Sequence, residues 1–127
     1  MNKLWLLCLI TFITLLSSCK KEDKGSTEIY GTWKLTEVWD DPGNGSGKYT
    51  KVKGKPRYIV IDTAGKLEGD AMPGIVGYKI LDKERMEILS PVYTLTVYQY
   101  KLTGNNLELN PPCDEGCGLK FKRIILR

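Results

Sequence analysis

The chain has 127 residues, of which 42% are hydrophobic, 27% charged and 9% aromatic, and its formal charge is +4. This length suits one compact domain. The mean hydropathy of -0.25 excludes a protein with many membrane spans, and the hydrophobic content excludes disorder along the whole chain. The chain has no histidine. Its small, scattered positive charge does not indicate a nucleic-acid partner.

The N-terminus has the features of a secretory signal. Lys3 gives a positive start, and Leu4–Leu16 form a 13-residue apolar run interrupted only by Thr and Cys. A membrane-spanning helix needs about 20 residues, so this run has the length of a signal-peptide core instead. Removing residues 1–18, which carry one lysine and no acid, leaves 109 residues with a formal charge of +3.

The segment Leu16-Ser17-Ser18-Cys19 resembles the bacterial lipobox. This resemblance implies that residues 1–18 are removed and that Cys19 is lipidated, so that acyl chains anchor the protein to a membrane. A secretory signal with a chance cysteine is the alternative. Residues 19–28 are expected to form the lipidated cysteine and a flexible polar tether.

The residues after Cys19 bear on localisation. Lys20 stands where an aspartate would retain a lipoprotein in the inner membrane, which favours the outer membrane. Lys21-Glu22-Asp23 resembles the export signal of Bacteroidota surface lipoproteins, with a solvated tether as the alternative. The expected location is the outer membrane, on its periplasmic face or at the cell surface.

The rest of the chain, residues 29–127, reads as short strands separated by turn residues, with no helical apolar stripe. About eight strands at hairpin spacing predict an all-β, antiparallel up-and-down barrel, with a β-sandwich as the alternative. The predicted strands, of which the second is the least marked, are Tyr30–Trp39, Tyr49–Val52, Arg57–Asp62, Lys66–Glu68, Tyr78–Leu81, Met86–Leu89, Tyr93–Leu102, Leu107–Leu109 and Leu119–Leu126.

Three segments carry a resemblance to a known family. Gly31-Thr32-Trp33 is similar to the Gly-x-Trp signature of lipocalins, and it is followed by the glycine-rich loop 41–47 and the Cys-x-x-x-Cys-Gly segment that begins at Cys113. In this order the segments resemble small lipocalin-like lipoproteins of the Bacteroidota. The resemblance implies a small lipocalin-like barrel in which Arg123 packs over Trp33 and closes one end. Gly31, Trp33 and Arg123 are therefore interpreted as fold residues.

Two cysteines remain once Cys8 is removed with the signal and Cys19 is lipidated. Cys113 and Cys117 cannot complete a zinc site in a chain without histidine, and redox-active pairs usually have two intervening residues rather than three. A structural disulfide within one turn is therefore predicted for an exported protein.

The residue types argue against an enzyme. Without histidine, a Ser-His or Cys-His nucleophile pair is impossible. Carboxylates that could act in acid–base catalysis are Glu37, Asp40, Asp41, Asp62, Glu68 and Asp70, and all but Glu37 lie beside predicted turns. No catalytic residue, metal site or cofactor is predicted.

The strand period raises one hypothesis about a ligand. It places Glu37 on the same face as Trp33, Leu35 and Trp39, unless a β-bulge turns Glu37 outward. If Glu37 faces inward, it predicts a shallow pocket at the mouth of the barrel beside the loop 41–47. Trp39 and Glu37 would line that pocket, and Tyr58 and Tyr78 are further candidates. The alternative is an exposed Glu37 and no pocket.

Two classes of function fit these features. In the first, a lipid-anchored, non-enzymatic envelope protein binds a small apolar or amphipathic ligand in its barrel. In the second, the barrel is filled by side chains and the surface contacts another envelope protein, as a partner or an inhibitor. An empty apolar interior would favour ligand binding, and an interior filled by aromatic residues would favour the interaction role.

Overall fold

The computed structural model describes residues 28–92, 94–113 and 116–125. The predicted signal peptide, the lipidation of Cys19 and almost all of the tether lie outside these residues, as do Tyr93 and Leu126 at the ends of two predicted strands. The described part of the chain is all-β and contains no helix.

The described strands are β1 (Gly31–Asp40), β2 (Lys48–Lys51), β3 (Tyr58–Ile61), β4 (Leu67–Glu68), β5 (Gly77–Ile80), β6 (Arg85–Leu89), β7 (Thr96–Thr103), β8 (Asn106–Asn110) and β9 (Leu119–Ile124). They agree with the predicted strands except at their ends. The seventh begins at Thr96 and the last ends at Ile124.

The strands form a nearly closed antiparallel barrel with eight positions. Consecutive strands pair with each other except β2 with β3 and β4 with β5, and β9 returns to pair with β1. β2 and β3 occupy one position, because both pair with the same side of β1: β2 with its second half and β3 with its first. Between β4 and β5 the barrel is held by an isolated bridge between Lys66 and Gly77. The structure therefore confirms the predicted up-and-down barrel rather than a sandwich.

Alternate residues of each strand fill the interior. Cross-strand pairs such as Leu35 with Phe121 and Met86 with Tyr98 place apolar side chains on the same inner face. Trp33, Ile59 and Leu109 are fully buried in this core. Alternation of apolar and polar residues is the pattern that lets a strand bury one face and hydrate the other.

A β-bulge interrupts the alternation of β1. The register between β1 and β9 shifts between Leu35 and Glu37, so Thr36 is an extra residue in β1. Before the bulge Leu35 faces inward, and after it Val38 packs against the core. Glu37 therefore faces outward, and burial of an unpaired carboxylate is avoided.

The connections divide between the two ends of the barrel. At the end where β1 begins, called the Trp33 end, lie both ends of the described chain and the turns 62–66, 81–84 and 104–105. The opposite end, called the loop end, carries the longer connections 41–47 and 69–76 and the described residues of the connections 90–95 and 111–118. This division follows from the antiparallel order of the strands.

Candidate functional site

The interior of the barrel is occupied by its own side chains. Fourteen buried residues form one cluster, in which the largest fully buried side chains are Trp33 and Phe121. Tyr78 is also buried, and its hydroxyl donates a hydrogen bond of 2.5 Å to the carbonyl of Asp62. Burial is the main cause that raises the pKa of Tyr78, so its hydroxyl stays protonated at neutral pH.

The Trp33 end is closed by the predicted contact between Arg123 and Trp33. The guanidinium carbon of Arg123 lies 4.3 Å from the centre of the indole ring. The guanidinium also donates hydrogen bonds to the carbonyls of Tyr30 and Glu28, and the Trp33 Nε1–H donates to the carbonyl of Ile29 at 2.8 Å. These contacts tie the segment before β1 to the last strand.

Gly31 is required in this arrangement for two reasons. Its φ is +137°, a conformation that other residues rarely adopt, and a Cβ here would lie 3.0 Å from Arg123 Nη1. Burial lowers the pKa of the Arg123 guanidinium, and the nearby Glu28 carboxylate opposes that shift. The three residues named from the sequence therefore meet as one structural unit.

The expected pocket at the mouth is not formed by the four residues proposed for it. Because of the bulge, Glu37 and Trp39 lie on the outer face, while Val38 takes the inward position. Tyr58 also faces outward, on β3, whereas Tyr78 is buried in the interior. Of the two alternatives that the sequence leaves open, the structure has the one in which a β-bulge turns Glu37 outward.

Trp39 instead belongs to a cluster on the outer face, here called the outer aromatic cluster: Trp39, Tyr49, Lys120, Glu37 and Glu108. The rings of Trp39 and Tyr49 meet edge to face with their centres 5.2 Å apart. The ammonium of Lys120 lies 3.9 Å from the centre of the Tyr49 ring and 3.5 Å from Glu37 Oε2. The Tyr49 side chain extends from β2 towards β8, and its hydroxyl donates a hydrogen bond of 3.0 Å to Glu108 Oε1.

Glycines allow the loops to close over this cluster. A Cβ on Gly47 would lie 2.5 Å from the indole of Trp39, and a Cβ on Gly118 would overlap the Tyr49 hydroxyl. Gly116 lies beside Trp39 Nε1, which is buried and has no hydrogen-bond acceptor among the described residues. The glycine-rich loop and the segment after Cys113 thus both pack on Trp39 and Tyr49.

The predicted disulfide lies in the second of these loops. Cys113 and Cys117 are bonded, with Cα atoms 6.1 Å apart. Gly116, next to Cys117, lies against Trp39. The bridge therefore ties Cys113 to the residue that follows Gly116, beside the outer aromatic cluster.

The charges of the outer face are arranged as a ladder. Directly opposite residues on five strands alternate in sign, in the order Lys51, Glu37, Lys120, Glu108 and Lys101. Opposite charges facing each other across strands are stabilising. Burial, together with the hydrogen bond to Glu108, raises the pKa of Tyr49 to about 12.

Sequence reasoning missed most of the outer aromatic cluster. Tyr49, Glu108 and Lys120 come from three strands, and no local pattern joins them. The available signal was the set of glycines around positions 47 and 116–118, because glycine in a strand or beside it marks a close approach of another group.

The chemistry of the outer aromatic cluster is that of a structural contact. Its two carboxylates each face lysine, and its phenol is held protonated. Among the described residues, no group of three or more Cys, Asp or Glu is placed to hold a metal ion. Three depressions formed by described residues open on the outer face, the one along the charge ladder enclosing about 340 Å³.

Comparison with known proteins gives no relative: the chain matches no family model, no curated protein and no solved structure. Within the part of the chain that the structure describes, no helix has the length and apolar character needed to cross a membrane.

Proposed function

We propose that this chain is a lipid-anchored, non-enzymatic protein of the cell envelope that acts through its outer surface. In this proposal the barrel is a filled scaffold that presents loops to another envelope protein. Residues 1–18 are its signal peptide, and acyl chains on Cys19 hold it at the outer membrane.

The observation that carries the proposal is the filled interior. Trp33, Phe121 and Met86 are fully buried in a cluster that also contains Tyr78. An eight-stranded barrel has room either for packed side chains or for one small ligand. The side chains already occupy that room here, which favours surface contact over a ligand carried inside.

The loop end is the surface best suited to such a contact. The connection between β6 and β7 exposes two large apolar side chains, Val92 at 74% and Leu95 at 66%. This connection lies at the end opposite Glu28, where the described chain begins. A tether at Glu28 would therefore leave the loop end directed away from the anchor.

Site-specific photo-crosslinking in the source cell tests the surface contact. A photoreactive residue at Leu95 should give one discrete protein adduct, and the same residue at the exposed Lys83, at the Trp33 end, serves as the matched control. No discrete adduct at Leu95, or the same adducts at both sites, would contradict the proposal.

Two measurements test the other parts of the proposal. Cys19→Ala should abolish fatty-acid labelling and release the protein from membranes, and a labelled Ala variant would refute the anchor. Titration with an environment-sensitive apolar dye should show no saturable binding to the wild type. Saturable binding, or a stoichiometric ligand retained in native mass spectrometry, would favour the ligand-carrying function instead.

A further inference from the structure

One part of the barrel carries a group of neighbouring positive charges. Residues 42–61 contain five Lys and Arg and no acid. The fold adds cations from β1 and β9 to this segment. The resulting surface, here called the basic face, consists of Lys34, Lys51, Lys53, Lys55, Arg57 and Lys122.

The fold creates the basic face by splitting one strand position. Residues 52–57 leave the barrel between β2 and β3, and they are held against β1 at both ends. The Leu35 N–H donates to the carbonyl of Arg57 at 2.9 Å, and the Val52 N–H donates to the carbonyl of Thr36 at 3.0 Å. The intervening residues, including Lys53 and Lys55, are exposed.

Cross-strand pairing adds the other cations. Lys34 lies directly opposite Lys122 on β9, an arrangement of like charges that is unfavourable within a sheet unless an anion offsets it. A depression of about 340 Å³ beside these cations is lined by Lys34, Lys51 and Thr36, and also by Glu37.

Few acids oppose these charges. Glu37 faces Lys51, but its carboxylate lies 3.5 Å from the ammonium of Lys120. The carboxylate of Asp70 accepts a hydrogen bond of 2.8 Å from the Tyr58 N–H. The remaining charge is positive and lies on exposed side chains, apart from the half-buried Lys34.

Apolar groups accompany the charges. Tyr58, opposite Lys34, and Val60 both face outward from β3, with exposed fractions of 37% and 45%. Aromatic and aliphatic side chains beside lysines and arginines are the composition of surfaces that lie on a lipid headgroup layer.

The tether brings this face to a membrane. Glu28, where the described chain begins, is nine positions after Cys19. A chain of that length reaches at most about 30 Å, and Lys34 and Lys122 lie near the Trp33 end, where it is attached. Anionic leaflets attract basic segments held within about a Debye length of the surface.

We propose that the basic face docks on the anionic phosphate headgroups of the leaflet that holds the acyl anchor. The identity of the occupant rests on the proposed lipidation of Cys19. In the docked state β1, β3 and β9 face the membrane surface. The connection between β6 and β7 remains accessible to a protein partner.

Vesicle co-sedimentation with the full chain carrying Cys19→Ala tests the docking without the anchor. Vesicles of phosphatidylcholine with phosphatidylglycerol are compared with vesicles of phosphatidylcholine alone. The unprocessed N-terminus is common to all variants, so only differences between vesicles and between variants are interpreted. Binding to the anionic vesicles should be stronger and should weaken as salt is added.

A matched pair of variants identifies the face. Lys53→Gln with Lys55→Gln should lower the partition coefficient about 30-fold, which is the usual contribution of two cations near an anionic leaflet. Lys79→Gln with Lys83→Gln removes the same charge from exposed positions on β5 and the turn after it, and should change binding far less. Circular dichroism of each variant checks that the barrel is retained.

Each outcome decides between the alternatives. Equal binding to both vesicle types, or equal losses for the two pairs of variants, would overturn the docking. If the protein binds a DNA duplex but does not bind anionic vesicles, the membrane docking would be overturned in favour of a nucleic-acid partner. If anionic vesicles bind but the wild type carries no fatty acid in cells, the anchor fails while the basic face stands as a membrane-binding surface.

Discussion

Replacing Arg123 with Met tests how the Trp33 end of the barrel is held closed. The change keeps the length of the side chain but removes the cation over the Trp33 ring. It also removes the hydrogen bonds to the carbonyls of Tyr30 and Glu28. The segment before β1 would keep the Trp33 Nε1–H bond to the Ile29 carbonyl and the burial of the Ile29 side chain in the core.

The expected loss of stability follows from these contacts. A cation over an aromatic ring contributes about 0.5–2 kcal/mol, and a hydrogen bond from a charged donor contributes about 1.5–3 kcal/mol. Both carbonyl contacts are exposed, so water replaces part of their value. A total of about 2–3 kcal/mol is reasonable, which corresponds to a decrease in Tm of roughly 10–20 °C for a domain of about 100 residues.

Thermal unfolding followed by circular dichroism measures this loss. Lys122→Met is the matched control, because Lys122 is the neighbouring exposed residue on the outer face of β9. Arg123→Lys should give an intermediate Tm, since an ammonium cannot reach both carbonyls and the ring in the geometry of a guanidinium. Equal Tm values for Arg123→Met and Lys122→Met would refute the structural role of Arg123.

Three further predictions concern the outer aromatic cluster. Tyr49→Phe should lower Tm, and its difference in Tm from the wild type should narrow between pH 10 and about 12. Burial and Glu108 raise the pKa of Tyr49, so the Tyr49 hydroxyl stabilises the fold only while it is protonated. Curves of Tm against pH that stay parallel would contradict this prediction. Cys113→Ser with Cys117→Ser should lower the free energy of unfolding by about 2 kcal/mol without abolishing the fold, because the closed ring is small; a denaturant titration that shows no folded state would contradict it. Gly118→Ala should displace Tyr49, seen as a decrease in the pKa measured by ultraviolet titration, and an unchanged titration would refute the close contact.

The alternation of apolar residues was sufficient to predict the strands and their meander. Trp33 and Leu35 on β1, and Leu107 and Leu109 on β8, face inward as period two requires. The contact of Arg123 with Trp33 was implied by the resemblance to lipocalins, and the strand period, which places Arg123 on the face of Phe121, agrees with it. The alternation itself is a local pattern that each strand carries alone.

The outer face could not be predicted in the same way. The β-bulge at Thr36 changes the parity of β1 without any glycine to mark it, and it moves Glu37 and Trp39 from one face to the other. The residues of the outer aromatic cluster come from β1, β2, β8 and β9. They meet only because these strands pair in the closed sheet, and no single strand shows that pairing in its own sequence. The run of cations over residues 42–61 is visible in the sequence, but its extension into the basic face is not, since Lys34 and Lys122 are distant in sequence and opposite in the fold.

The bulge itself yields the last prediction, which concerns the deletion of Thr36. In the register of β1 with β9, Leu35 is opposite Phe121 and Glu37 is opposite Lys120. Deletion of Thr36 removes the extra residue and leaves these pairs in regular alternation, so Val38 still faces inward. The deletion loses the hydrogen bond from Thr36 Oγ1 to the carbonyl of Lys120 and the Val52 N–H bond to the Thr36 carbonyl.

The deletion should therefore be tolerated, with a loss of about 1–3 kcal/mol from two hydrogen bonds. Deletion of Lys34 is the matched control, because it reverses the faces of Trp33 and Leu35 relative to each other and would expose one of two buried side chains. Circular dichroism and denaturant titration should show a folded protein for the first deletion and an unfolded one for the second. If both deletions unfold the chain equally, the outward position of Glu37 does not come from the bulge, and the assignment of Trp39 to the outer face would have to rest on its packing against Tyr49 alone.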